Sequence, residues 1–290
     1  MVLLELLTQL RAPRSLQLSA IHVHHGLSPN ADQWAMFCET LCIARSIPLQ
    51  TVRIQVDRSQ PGGIEAVARN CRYAAFNELD ADFLALAQHA DDQAETVLHQ
   101  LLRGTGLRGM AGMGETRCLR EGLILIRPLL RSSRAEIESF AREQRLVWIE
   151  DESNADTAYT RNFIRHTLLP TLANRFPHYR ESLLRAARHA TEADEMLSAL
   201  AMIDLRWNGR SAYADALDGL PLTRQVNALY HWLQWLQGSH ETQLTLPSRA
   251  QLSEWSAQLF RPTPTDRPHQ AGGHDYVIRR RKNLLSLERK

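Results

Sequence analysis

The stretch FLALAQHADDQAETVLHQLLR, residues 83–103, decides the fold. Phe83–Ala87 is a short apolar run of strand length, and Asp92–Arg103 repeats apolar positions at helical spacing. The same alternation recurs on either side. Upstream, Met1–Leu10 has the pattern of an amphipathic helix, with Leu3, Leu4, Leu6, Leu7 and Leu10 on or near one face. A strand over Leu16–His24, a helix around Asp32–Ser46, a strand over Leu49–Val56 and a helix around Gly63–Leu79 follow. Downstream come a short strand at Ile124–Ile126 and a helix over Arg134–Gln144. This β-α-β-α rhythm predicts the α/β class, a doubly wound parallel sheet with helices on both faces.

From Arg161 the chain becomes mostly helical, and the pattern over 178–207 suits a connector helix. Helices near Leu222–Leu236 and Ser248–Leu259 carry Trp232, Trp235 and Trp255, and short strands near Tyr276–Arg280 and Leu284–Leu287 end the chain. We expect a first domain over 1–207, including the connector, and a smaller, mostly helical α+β domain over 208–290.

The 290 residues are 44% hydrophobic and 23% charged, ordinary globular values, and the net charge of +2 is too small for a tail-driven nucleic-acid binder. Of 34 basic residues only Lys282 and Lys290 are lysines, which excludes a Walker-A or Schiff-base lysine before residue 282. Phosphate chemistry here must use arginine, backbone N–H groups or a metal. Cys38, Cys42, Cys71 and Cys118 form no C-x-x-C pair, and Cys38 and Cys42 fall in an apolar helical stripe as core or boundary residues. No apolar run approaches the ~20 residues of a membrane span. We expect a soluble, cytoplasmic protein.

Chemistry concentrates where the quoted strand meets its helix. Asp92 with Glu95 three residues on fits a capping box, but capping leaves His89 and the second carboxylate Asp91 unexplained. Adjacent carboxylates beside a histidine, at the carboxyl end of a strand, suit Mg²⁺ on nucleotide phosphates or a substrate ammonium (Asp91 and Asp92 for the metal). Gly104–Gly109 matches G-x-G-x-x-G but follows a helix, so the dinucleotide reading fails on context. Flanked by Arg103 and Arg108, the loop around Gly104 and Gly106 either wraps an anion or simply caps the helix. His22, His24 and His25 end a strand without completing a zinc set; a place lining a nucleotide pocket suits His24 better. Arg161 and Arg165, four apart, form either a solvated edge or a two-pronged clamp for phosphate or carboxylate. Arg279, Arg280 and Arg281 alternate on a short strand, as RNA contacts or as solvated charge.

Together these segments resemble one family, the bacterial tRNA(Ile)-lysidine synthetases of the PP-loop (N-type) ATP pyrophosphatase superfamily. The matching stretches are HVHHGLSPNAD (22–32), GGIEAVARNCRY (62–73), LAQHADDQAETVLHQLLRGTGLRGMAGM (86–113), RPLL (127–130), DESNAD (151–156) and RNFIRHTLLP (161–170). The resemblance is specific through about residue 190 and looser beyond. It implies that ATP adenylates the wobble cytidine of a tRNA(Ile) with a CAU anticodon at C2, and that free L-lysine then displaces AMP to give lysidine. It implies His89, Asp92 and Glu95 at lysine or Mg²⁺, and Arg161 and Arg165 at the adenylated intermediate. His24, Arg69, Arg103, Gly104 and Gly106 would lie by the nucleotide, and Arg108 with Arg279–Arg281 on the tRNA. The Trp-rich second domain leaves room for a homodimer. The family's S-G-G-x-D-S signature, between its first strand and first helix, has no counterpart here. We therefore expect Met1 to be internal, with a central strand and its loop in the roughly 20–30 residues before it, and activity to require them. Longer members also carry a further C-terminal tRNA-binding domain. A PP-loop tRNA thiolase, which would want clustered cysteines, and a non-catalytic tRNA-binding remnant are the alternatives.

Overall fold

A computed structural model describes residues 1–57, 63–207, 212–238, 244–260, 269–273 and 275–290, with the side chains of residues 65 and 289 left aside. The chain divides into two compact units, Met1–Ala187 and Arg188–Lys290. The division falls inside the helix expected as a connector; residue 208, the expected boundary, lies outside the described residues, as does Gly62 of the second motif.

In the first unit, helix α1 (Val2–Arg11) precedes strand β1 (Ala20–His24), α2 (Ala31–Ala44), β2 (Leu49–Arg53) and α3 (Ile64–Asn77). Then come β3 (Phe83–Ala85), α4 (Ala90–Leu102), the single turn α5 (Leu107–Met110), β4 (Thr116–Arg120), β5 (Leu123–Ile126) and α6 (Arg134–Glu143). Strands β1 and β2 pair in parallel, as do β3 and β5, while β4 joins β5 antiparallel. Alternation along β3 shows why helices cover both faces. Leu84 packs with Phe76 and Tyr73 of α3, together with Ile21 and Val23 of β1 and Leu123 and Leu125 of β5. The next residue, Ala85, packs on the opposite side with Val2, Leu3, Leu6 and Leu7 of α1 and Ile137 and Phe140 of α6. Each fully buried leucine is worth about 1.5–3 kcal/mol, so the layers rest on this alternation. The α/β class stands. Among the described residues β1 pairs only with β2 and β3 only with β5, so the two parallel pieces share a hydrophobic layer without a strand joining them.

Several boundaries differ from expectation: β2 ends at Arg53, not Val56, and β3 at Ala85, not Ala87. Strand β1 begins at Ala20, not Leu16, because pairing starts where the Ala20 N–H donates to the Pro48 carbonyl at 2.8 Å, just ahead of β2. Helix α4 begins at Ala90, two residues before Asp92, since His89 caps it. The β4 strand was not expected at all; its TRCLR sequence reads as polar loop, and it is fixed by a tight reversal at Gly122, where φ is +76°.

After a 3-10 turn at Glu152–Ala155, α7 (Thr160–Phe163) runs through a π turn (Ile164–Leu168) into α8 (Leu169–Arg175), which has Pro170 in its first turn. Helix α9 (Tyr179–Asp204) leads into the second unit. There β6 (Ala212–Tyr213), α10 (Leu222–Gly238), α11 (Arg249–Leu259), β7 (His269–Gly272), β8 (Tyr276–Arg281) and β9 (Leu284–Arg289) form an antiparallel sheet, ordered β6-β9-β8-β7, with helices beside it. Trp232 and Trp255 enter its core with Leu229, Leu233, Tyr276 and Ile278. Trp235 is partly exposed, its ring 4.5 Å from that of Trp207.

Candidate active site

Helix α4 starts at the carboxyl end of β3, where backbone N–H groups lack helical partners. His89 supplies one: its Nδ1 accepts from the Asp92 N–H at 3.4 Å, and Asp92 Oδ2 accepts from the His89 N–H at 3.1 Å. The capping box is therefore His89 with Asp92, not Asp92 with Glu95. That frees Glu95 for the interior, where its side chain is 2% exposed.

Glu95 meets the clamp expected of Arg161 and Arg165. Arg165 Nε donates to Glu95 Oε1 at 2.6 Å, and Arg165 Nη2 donates to Oε2 and to Asp92 Oδ1, both at 2.9 Å. Arg161 Nε donates to Glu95 Oε2 at 3.1 Å, with Nη2 3.4 Å from Asp92 Oδ1. The four-residue spacing places both guanidinium groups on one side, and the π turn beginning at Ile164 carries Arg165. The carboxylates that the clamp closes on are the protein's own. Burial alone lowers the pKa of the Arg165 guanidinium, but Glu95, through hydrogen bonding and charge, and then Asp92 and Asp91 raise it above its ordinary value. Asn162 and His166 tie the same segment to the Ser153, Asp156 and Asn154 carbonyls.

Asp91 faces elsewhere: its Oδ2 accepts from the Arg134 N–H at 2.8 Å, and its Oδ1 lies 3.0 Å from Arg180 Nε. Three of the four oxygens of Asp91 and Asp92 accept protein hydrogen bonds, and the fourth, Asp91 Oδ1, faces Arg180 as an ion pair. Among the described residues no three His, Cys, Asp or Glu side chains gather for a metal. The pair expected to hold magnesium here has arginine and backbone partners.

Gln93, missed in the sequence, faces inward from the same helix turn. Its Oε1 accepts from the Met113 N–H at 2.8 Å and its Nε2 donates to the Met113 carbonyl at 2.9 Å, clamping the glycine-rich loop. A buried amide on the apolar side of a helix was the available signal. Gly112 sits against this amide with φ +68°, while Gly104, also at +68°, ends α4 and Gly106 caps α5. Arg103 caps α4 through its backbone, and both Arg103 and Arg108 are exposed.

His22 and His24 share one face of β1, with rings 6.3 Å apart; His24 lies 3.3 Å from Asp32, and His22 Nδ1 is 3.7 Å from Cys38 Sγ. His25 turns to the other face and accepts from Arg72 Nε at 3.2 Å, so it is neutral there. Burial, then neighbouring positive charge, lowers the pKa of both His22 and His25. Arg69 lies exposed on α3 over the Tyr73 ring. In the second unit, Arg279 and Arg281 pair with Glu288, and Arg280 makes two 2.6 Å bonds to Asp218.

A family model described as a PP-loop domain matches residues 1–172. The chain belongs to the PP-loop domain family. This PP-loop chain is 47% identical over 247 residues to the tRNA(Ile)-lysidine synthase of Pseudomonas fluorescens, covering 80% of the chain and 55% of that protein. To the synthase of Pseudomonas aeruginosa it is 43% identical over 274 residues, covering 93% and 59%. To that of Nitrosomonas europaea it is 46% identical over 205 residues, covering 70% and 45%. The chain spans about half the length of these curated relatives. A solved structure, the U34-tRNA thiolase NcsA from Methanococcus maripaludis with its 4Fe–4S cluster, superposes with a TM-score of 0.52 at 17% identity. It covers 66% of this chain and 67% of its own, and bears on the fold alone. Among the described residues no helix is long and apolar enough to cross a membrane.

Proposed function

We propose that this PP-loop protein is the catalytic part of a tRNA(Ile)-lysidine synthetase, a cytoplasmic ligase joining free L-lysine to C2 of the wobble cytidine in the CAU anticodon. The carrying observation is the 43% identity to a tRNA(Ile)-lysidine synthase across 93% of the chain. ATP activates the cytidine by adenylation, with release of pyrophosphate. The ε-amine of lysine, having lost its proton, then attacks C2, and AMP leaves.

The side chains suit these steps. Arg161 and Arg165 offset negative charge at the reacting phosphate. Glu95, buried, aims them. Asp92, nearer the surface and beside His89, is the carboxylate a lysine ammonium reaches. His24, Arg69, Arg103, Gly104 and Gly106 line the nucleotide, and residues 208–290, with Arg279–Arg281, take tRNA. Those three arginines must then exchange Glu288 and Asp218 for phosphates. Any Mg²⁺ travels on the ATP phosphates and not on Asp91 and Asp92, so no step here runs through those oxygens.

The test is ATP- and tRNA-dependent incorporation of labelled lysine. It is run on the chain preceded by the expected S-G-G-x-D-S segment and on the 290-residue chain. Incorporation by the first and none by the second is the expected result; none by the first sinks the reading.

A further inference from the structure

Many arginines of this protein pair with carboxylates, among them Arg45, Arg53, Arg161, Arg165, Arg224 and Arg280. One group does not. Arg127, which follows β5, is 5% exposed, yet its donors go to neutral acceptors: Nε to Gln88 Oε1 and Nη1 to the Gly114 carbonyl at 2.6 Å. It also interacts with the Tyr73 hydroxyl. Two further arginines converge on that tyrosine. Arg69, one helical turn earlier on α3, lies with Cζ 5.0 Å from the ring centroid and Nη2 3.3 Å from the hydroxyl. Arg117, on β4, lies with Cζ 5.6 Å from the same centroid. Both are exposed. Among the described residues none of the three forms an ion pair with a carboxylate, and nearby Glu115 is taken by Arg131.

A buried charge is costly unless it is paired. Here burial, and then the positive charges of Arg117 and Arg69, lower the Arg127 pKa against the support of Tyr73. Three converging guanidinium groups with a phenol and no acid among them are complementary to a phosphate, which guanidinium forks bind by paired charge-assisted bonds. The place is informative. Gln88, which holds Arg127, immediately precedes His89, so the group borders the acidic helix start. Phosphate is the shared chemistry of an RNA backbone and of free pyrophosphate. A bay with two exposed arginines at its rim favours the former, because a backbone phosphate arrives tethered to its neighbours and cannot enter a deep pocket.

We propose that Arg69, Arg117 and Arg127, arranged around Tyr73, form a bay that holds an RNA backbone phosphate next to the nucleotide being modified. The proposal rests on RNA being the substrate, as argued above, and reassigns Arg69 from the ATP side to the RNA side.

The test is binding of a CAU anticodon stem–loop RNA to the 290-residue chain over a salt series, with inorganic pyrophosphate as a second probe. Arg117→Gln and Arg69→Gln, both exposed positions, should each weaken RNA binding about tenfold. Each should also lower the slope of log K against log salt by about 0.7–0.9, one phosphate contact. Arg142→Gln, distant on α6, should change neither. RNA affinity unchanged in both variants, or reduced with an unchanged salt slope, overturns the bay while leaving the proposed function intact. Loss of pyrophosphate binding with RNA affinity retained overturns the RNA assignment in favour of a free-polyphosphate site. A wild-type chain that binds no RNA overturns the bay, while the proposed function still stands or falls on lysine incorporation by the extended chain.

Discussion

Replacing Glu95 by glutamine isolates the charge at the centre of the candidate site, because shape and volume are nearly kept. Glu95 is 2% exposed and accepts from Arg165 Nε at 2.6 Å, Arg165 Nη2 at 2.9 Å and Arg161 Nε at 3.1 Å. The amide keeps one oxygen and points an NH₂ group at a donor. Removing one partner of a buried pair costs about 3–5 kcal/mol. Arg161 and Arg165 remain 36% and 23% exposed, so water and Asp92 recover part of that. We therefore expect a loss of about 2–3 kcal/mol. For a unit of this size, ~2–4 °C per kcal/mol converts that to a Tm lowered by about 5–10 °C. Calorimetry on the whole chain, following the transition of Met1–Ala187, reads the shift, and urea unfolding gives the free energy independently. Asp92→Asn, at a more exposed carboxylate, should cost less. A Tm change under ~2 °C for Glu95→Gln would show that desolvation of the carboxylate cancels its pairing, and would refute the aiming of Arg161 and Arg165 by Glu95.

Gly112→Ala should destabilise the first unit by about 1–2 kcal/mol, seen as a lower urea midpoint. The new Cβ would lie 2.8 Å from Gln93 Oε1, at a φ of +68°, and moving that amide breaks both its bonds to Met113. An unchanged midpoint would mean that the loop does not depend on Gln93. Burial and then Asp275 push the Tyr276 phenol up to about 12. The folded state therefore holds its proton longer than the unfolded chain. Its contribution is complete below pH 10 and lost between pH 10 and 12, about 3 kcal/mol in all. Tyr276→Phe should flatten that alkaline fall in urea stability, while costing about 1 kcal/mol at neutral pH for the 3.0 Å bond to the Thr245 carbonyl. A wild-type-like alkaline fall in this variant would refute the assignment. His22 and His25 have lowered pKa values, so their contribution is complete above the ordinary value of 6.5 and disappears as pH falls through the folded values. His25→Gln should show a shallower acid loss of stability than wild type, and an equal slope would count against His25.

What the sequence revealed and what it concealed follow from range. The β-α-β order and the long helix expected over 178–207, observed at Tyr179–Asp204, are local patterns with periods of two or 3.6 residues, and they survive with small shifts at their ends. His89, Asp92 and Glu95 were legible as a dense polar turn at a strand end, and Arg161 and Arg165 as two residues on one helix face. That these two groups meet was not legible, since Arg165 reaches Glu95 across 70 residues of chain. The capping assignment failed for a related reason. Asp92 and Glu95 match the usual spacing, but a histidine nitrogen is an uncommon cap acceptor, and it moved the helix start back two residues and sent Glu95 inward. The β4 strand was concealed because its hydrogen bonds, not its side chains, define it.

The distribution of charge separates the two borders of the strand ends. On one border Asp91, Asp92 and Glu95 carry three negative charges against Arg161, Arg165 and Arg180, so that group is neutral and holds itself closed. On the other, Arg69, Arg117 and Arg127 have no acid to answer them among the described residues. An arriving polyanion is drawn to the uncompensated border first. A phosphate that then reaches Arg161 or Arg165 competes with Asp92 and Glu95 for them, and every bond it takes leaves those carboxylates more negative. A lysine ammonium gains little from the neutral cluster and much from the opened one. Charge alone therefore favours activation of the RNA before capture of the amine, the order in which the proposed reaction must run.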